Sequence, residues 1–262
     1  MRPLCCVLLV SGLMSVLAVA QSPFDGVWKA EPTEIDTPRA PEVYLLQDGA
    51  YRCPTCDPPL DVRADGRDQK VTGEPCYDTV GLQVVDDRTT LETDKRSGKT
   101  VGTSKMTVSS DGNSATIDWK ESCNVNGDVV SETFILSRVA KGPRGSHAVS
   151  GSWQIVKRVN MSENAMVATL KLEGDTFSFV DPAGMSYAAK LDGTETPIKG
   201  DLSQTTVSVK RIGENTIEET DKRDGKVVEV IRFTPSPDGK TMTISIEDKV
   251  KGGTRQFVAH KQ

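Results

Sequence analysis

The sequence predicts an all-β protein built as two tandem antiparallel up-and-down barrels, related by internal duplication. Three observations predict it. Apolar residues recur with a period of two, turn dipeptides punctuate them every several residues, and the second half of the chain repeats the first. The repeat is clearest in "TDKRSGK" (93–99) and "TDKRDGK" (220–226), 127 positions apart. At that offset "DTVGLQVVDDRTTLETDKRSGK" (78–99) falls on "TTVSVKRIGENTIEETDKRDGK" (205–226), and "SSDGNSATIDW" (109–119) falls on "SPDGKTMTISI" (236–246). Units of roughly 115 residues are duplicated domains, since short solenoid repeats have periods of about 20–50.

Taken from the start, residues 1–20 read as a secretory leader. Arg2 supplies the positive end, Leu4 to Val19 the apolar run, and Ala18-Val19-Ala20 the cleavage site. The run is shorter than the roughly 20 residues of a membrane-spanning helix. An exported chain, periplasmic or extracellular, is therefore expected, with no transmembrane segment in its mature part. Residues 21–139 form the first barrel unit, "AKGPRGSHAV" (140–149) a Gly- and Pro-containing linker, and 150–262 the second unit.

Within the units, Ala115, Ile117 and Trp119 alternate with Thr116, Asp118 and Lys120, and Met242, Ile244 and Ile246 with Thr241, Thr243 and Ser245. Such strands have one dry and one wet face. The turns fall at Gly174-Asp175, Asp181-Pro182, Asp192-Gly193, Asp224-Gly225 and Asp238-Gly239. Eight to ten short strands in the second unit would leave long edges in an open sheet, and barrel closure removes them. The charged heptads read as hairpin tips with their charges in solvent.

Composition and charge exclude several functions. Removing Arg2 with the leader takes the net charge from −5 to −6, so no basic footprint for nucleic acid is present. Beyond the leader there are two histidines, His147 in the linker and His260 in the last strand, and neither recurs in the other unit. This leaves no well-placed base for a Ser-His-Asp arrangement and no His-rich metal site. No cofactor or catalytic residue is indicated. Asn160-Met161-Ser162 matches a glycosylation acceptor, relevant in a eukaryotic secretory host only.

Cys53, Cys56, Cys76 and Cys123 occur in the first unit alone. In an oxidising compartment they predict two disulfides, with three connectivities open. Stapling of an added loop is the expected role. Cys53-Pro-Thr-Cys56 also has the spacing of a thiol–disulfide redox motif or half a zinc site. Pro58-Pro59, however, oppose the helix that a redox pair normally opens, and Cys76 and Cys123 do not form a second zinc knuckle.

Each unit opens with Gly-x-Trp, at Gly26-Val27-Trp28 and Gly151-Ser152-Trp153, and closes with a cation after an apolar run, Arg138 and Lys261. This pattern resembles the lipocalin and wider calycin barrels. The start "SPFDGVW" (22–28) and the hairpin "SPDGKTMT" (236–243) are also similar to tandem secreted bacterial proteins of uncharacterised function. The resemblance implies that Trp28 and Trp153 seal barrel ends beneath Arg138 and Lys261. It also implies an interior able to hold a small apolar or amphipathic ligand. Met166, Leu170, Phe177, Phe179, Met185 and Tyr187 are the candidate lining residues in the second unit. The competing expectation is a protein-interaction module whose cysteine loop binds another envelope protein.

Overall fold

A computed structural model describes residues 22–31 and 39–262. The expected leader lies outside the described residues. These hold twenty strands, one 3-10 turn at Glu163–Ala165 and no α-helix. The first ten strands are β1 (Gly26–Ala30), β2 (Glu42–Gln47), β3 (Ala50–Cys53), β4 (Leu60–Arg63), β5 (Asp65–Lys70), β6 (Thr79–Asp86), β7 (Thr89–Arg96), β8 (Lys99–Val108), β9 (Ser114–Glu121) and β10 (Val130–Lys141). They are followed by β11 (Gly151–Val159), β12 (Val167–Glu173), β13 (Thr176–Val180), β14 (Ser186–Lys190), β15 (Thr196–Pro197), β16 (Thr206–Arg211), β17 (Ile217–Arg223), β18 (Lys226–Pro235), β19 (Thr241–Asp248) and β20 (Thr254–Lys261).

The hairpins follow from local chemistry. Ser97-Gly98 and Asp224-Gly225 have positive φ at both positions, the mirror-image turn that matches the twist of the flanking strands. At Ser109 and Ser236 the hydroxyl donates to Asp111 or Asp238 two residues on, and the same hydroxyl accepts from the amide of Ser114 or Thr241. These side chains fix the β8–β9 and β18–β19 turns.

The strands form two nearly closed antiparallel ten-stranded barrels. The first has the order β4-β3-β2-β11-β10-β9-β8-β7-β6-β5. Its two ends meet where β4 runs into β5, and there the Gln69 side chain acts as a ladder rung. Its Oε1 accepts from the Arg63 amide at 2.6 Å and its Nε2 donates to the Arg63 carbonyl at 2.7 Å. The second has the order β14-β13-β12-β1-β20-β19-β18-β17-β16-β15. A reciprocal backbone pair between Ser186 and Lys199, at 3.0 and 2.8 Å, draws its ends together.

The barrels do not divide the chain at 140–149. β1 lies between β12 and β20 in the second barrel, and β11 lies between β2 and β10 in the first. Each barrel thus takes the Gly-x-Trp strand of the other half. The physical reason is proximity. The segment 140–149, expected as a linker, instead ends β10 and enters a short loop (142–150) that turns β10 back on β11 as a hairpin, with Lys141 opposite Gly151. Arg138 holds that loop through the carbonyls of Ala148 and Ser150, each at 2.7 Å. The place beside β20 is then filled by β1, where Trp28 stands opposite Lys261.

The tryptophan–cation pairs follow the same exchange. Arg138 covers Trp153 at 3.9 Å, and Lys261 covers Trp28 at 5.2 Å. Each indole is buried and donates to a carbonyl four residues back, Trp28 to Phe24 at 2.7 Å and Trp153 to Val149 at 2.8 Å. Around Trp153 pack Leu46, Val62, Leu82, Val108 and Leu136, and around Trp28 pack Phe24, Leu170, Phe177, Val207, Ile217 and Met242.

Candidate ligand-binding cavity

The second barrel is filled along only part of its length. On β12 the alternation that follows Met166 sends Ala168 and Leu170 inward. β18 contributes Ile231 and Phe233, β19 Ile244 and Ile246, and β20 Phe257 and Ala259. With Trp28, Phe179 and Met185 these enclose a cavity of about 640 Å³. That lies within the range of about 300–1,000 Å³ common to small-molecule sites.

The first barrel adds Glu74, Pro75, Cys76, Tyr77, Trp119, Glu121 and Cys123, and loops of the second add Asp181, Ala183, Asp201 and Leu202. The cysteines pair as Cys53–Cys56 and Cys76–Cys123. The second bridge ties the loop before β6 to the hairpin between β9 and β10, so Cys76 and Cys123 help build the cavity wall. The tip of that hairpin docks on the second barrel. Asn126 Nδ2 donates to the Pro182 carbonyl at 2.8 Å, and Asn164 Nδ2 donates to the Val129 carbonyl at 3.1 Å. The fit at Gly200 requires glycine. Its φ is +82°, and a Cβ there would lie 2.6 Å from Val125 and 2.7 Å from the Gly184 carbonyl.

Of the six candidate lining residues, Met166, Leu170, Phe179 and Met185 face this cavity. Phe177 and Tyr187 belong to the packed part of the barrel. Phe177 meets Phe24 edge-on at 6.0 Å and Phe233 at 5.5 Å, and the buried Tyr187 donates its hydroxyl proton to Glu219.

The charged heptads depart from expectation. Arg96 to Lys99 and Arg223 to Lys226 are exposed tips, whereas Asp94 and Asp221 are buried, 7 % and 9 % exposed. Strand alternation places Glu92 beside Asp94, and Glu219 beside Asp221, on the inward faces of β7 and β17. Burial, reinforced by Glu74 and Glu121, pushes Asp94 up to about 7. Burial, reinforced by Glu229, likewise pushes Asp221 up to about 7. Glu219 is raised by burial and by Asp221, and Glu92 is raised to about 8 by burial and by Asp94. One carboxylate oxygen, Oδ1, of Asp94 and of Asp221 has no hydrogen-bond partner. Reading "ETDKR" by its period of two would have found these acids, because Glu219 and Asp221 continue the inward face of Ile217.

Nearer the cavity, burial raises Glu74, partly offset by a hydrogen bond from Tyr77, and burial raises Glu121. Burial works against the charge of Asp201, but hydrogen bonds from Thr205 and Ser203 outweigh it and hold its pKa low. The histidines stand elsewhere. His147 Nε2 meets the Asp86 carbonyl at 2.7 Å, and His260 lies 3.3 Å from Glu31 at the surface. Glu42 sits close to the sulfurs of Cys53 and Cys56, which are joined to each other and so present no thiolate to a metal.

No protein-family model matches the chain, and no curated protein or solved structure does either.

Proposed function

We propose that the protein is an exported, non-enzymatic carrier of lipocalin-like design that holds one small apolar or amphipathic ligand in its second barrel. The observation that carries this reading is the cavity of about 640 Å³ with its apolar interior. An empty apolar space forfeits the dispersion contacts its walls would otherwise make, and a fitting ligand restores them. Export is supported by the leader-like N-terminus and by the two disulfides, which persist in oxidising compartments. Among the described residues no helix is long and apolar enough to cross a membrane.

The test is titration with a neutral naphthylamine probe, N-phenyl-1-naphthylamine. Saturable one-to-one binding is expected, with energy transfer from Trp28 and Trp119, which both line the cavity. Ala168→Trp places an indole inside the space and is expected to weaken binding about tenfold or more, since it removes apolar contact area. Failure of the probe to saturate would end the carrier reading.

A further inference from the structure

We propose that the cavity selects an organic cation, a small amphiphile with an apolar body and an amine or quaternary ammonium head. The inference rests on the carrier reading and concerns the chemistry at the junction between the barrels. Among the described residues the lining includes four carboxylates, Glu74, Glu121, Asp181 and Asp201, and no lysine, arginine or histidine. The apolar lining comes chiefly from inside the second barrel. Glu74 and Glu121 enter from the first barrel and Asp181 and Asp201 from loops of the second, so both barrels contribute acids to the lining.

A second observation points the same way. Asp94, which is not part of the lining, is buried in the first barrel, where the charges of Glu74 and Glu121 oppose its own. Its Oδ1 is buried without a hydrogen-bond partner. Buried carboxylates without a cation are costly, and proteins ordinarily pair them. The lining adds carboxylates and, among the described residues, no basic side chain, so a cationic head would offset charge that the wall itself does not. Tyr77 and Trp119 stand in the same lining and offer aromatic faces, which attract ammonium groups. A carboxylate or sulfate head would instead meet four acids. Fatty acids are therefore the wrong sign.

The test uses the full chain and three amphiphiles of one tail: dodecyltrimethylammonium, dodecyl maltoside and dodecyl sulfate. Each is titrated calorimetrically below its micelle threshold. The cation is expected to bind about tenfold tighter than the neutral compound, and the sulfate more weakly than both. Glu74→Gln with Glu121→Gln is expected to remove most of the cation's advantage over the maltoside. The head-group comparison needs no variant, so it decides the matter even if the double variant folds poorly. Equal affinities, or tighter binding of the sulfate, would overturn cation selection and leave the carrier reading standing. No binding of any of the three, together with no naphthylamine binding, would overturn both.

Discussion

Neutralising Asp94 and Asp221 should flatten the pH dependence of stability. Unfolded, each titrates near 4. Folded, each is pushed up to about 7, first by burial. Between those values the native state keeps a proton that the unfolded state has released. The stabilisation is therefore fully present below about pH 4 and is lost as pH rises through about 7. Three pH units at about 1.36 kcal/mol each set a ceiling of about 4 kcal/mol per residue. From pH 5 to pH 8 about two-thirds of that range is crossed, and relaxation of the site lowers the effect further, to about 2 kcal/mol per site. The pair then accounts for about 4 kcal/mol, or a Tm lower by roughly 10 °C at pH 8 than at pH 5 for a chain of this size. Differential scanning calorimetry across that range measures it. Asp94→Asn with Asp221→Asn should lose at least half of the fall, the remainder belonging to Glu92 and Glu219. A wild-type Tm that is flat or rises from pH 5 to 8 would refute the reasoning, as would a double variant that keeps the whole slope.

Trp28→Ala should cost about 3–5 kcal/mol, and hydrogen exchange should show lost protection in residues 167–261 rather than in 42–159, because β1 belongs to the second barrel. Replacing Cys76 and Cys123 with Ser should destabilise by about 4 kcal/mol and replacing Cys53 and Cys56 by about 2, since their sequence separations are 47 and 3; chemical denaturation compares them. Gly200→Ala should cost about 1–3 kcal/mol through its positive φ and the crowding by Val125, and it should weaken naphthylamine binding by shifting the hairpin at the cavity mouth.

The barrels were legible because alternation and turn chemistry are local. Met242, Ile244 and Ile246 point inward wherever β19 finds its partners, and Ser97-Gly98 turns whatever flanks it. Partner choice is not local. Trp28 and Trp153 carry the same motif, and nothing in either strand says which barrel it enters. That is decided by the short loop that folds β11 back on β10. The cavity was partly legible for the same reason. Met166, Leu170, Phe179 and Met185 were found by face, whereas Phe177 and Tyr187 share that pattern but sit at a depth where neighbours fill the space. Glu74 and Glu121 were beyond reach, because they line the second barrel from the first.

The exchanged strand also sets an order of events during synthesis. Residues 42–159 run without interruption through all ten strands of their barrel, which has every partner it needs before the rest of the chain is made. The other barrel cannot close until its last strand emerges, because β1 seats against the far terminus, with the Gln262 amide donating to the Val27 carbonyl at 2.9 Å. Until then the earliest-made ribbon waits with bare edges, open to pairing with the wrong neighbour. The molecule is most vulnerable to misassembly while it is still being delivered, and loss of β1 or of β20 strikes the same barrel.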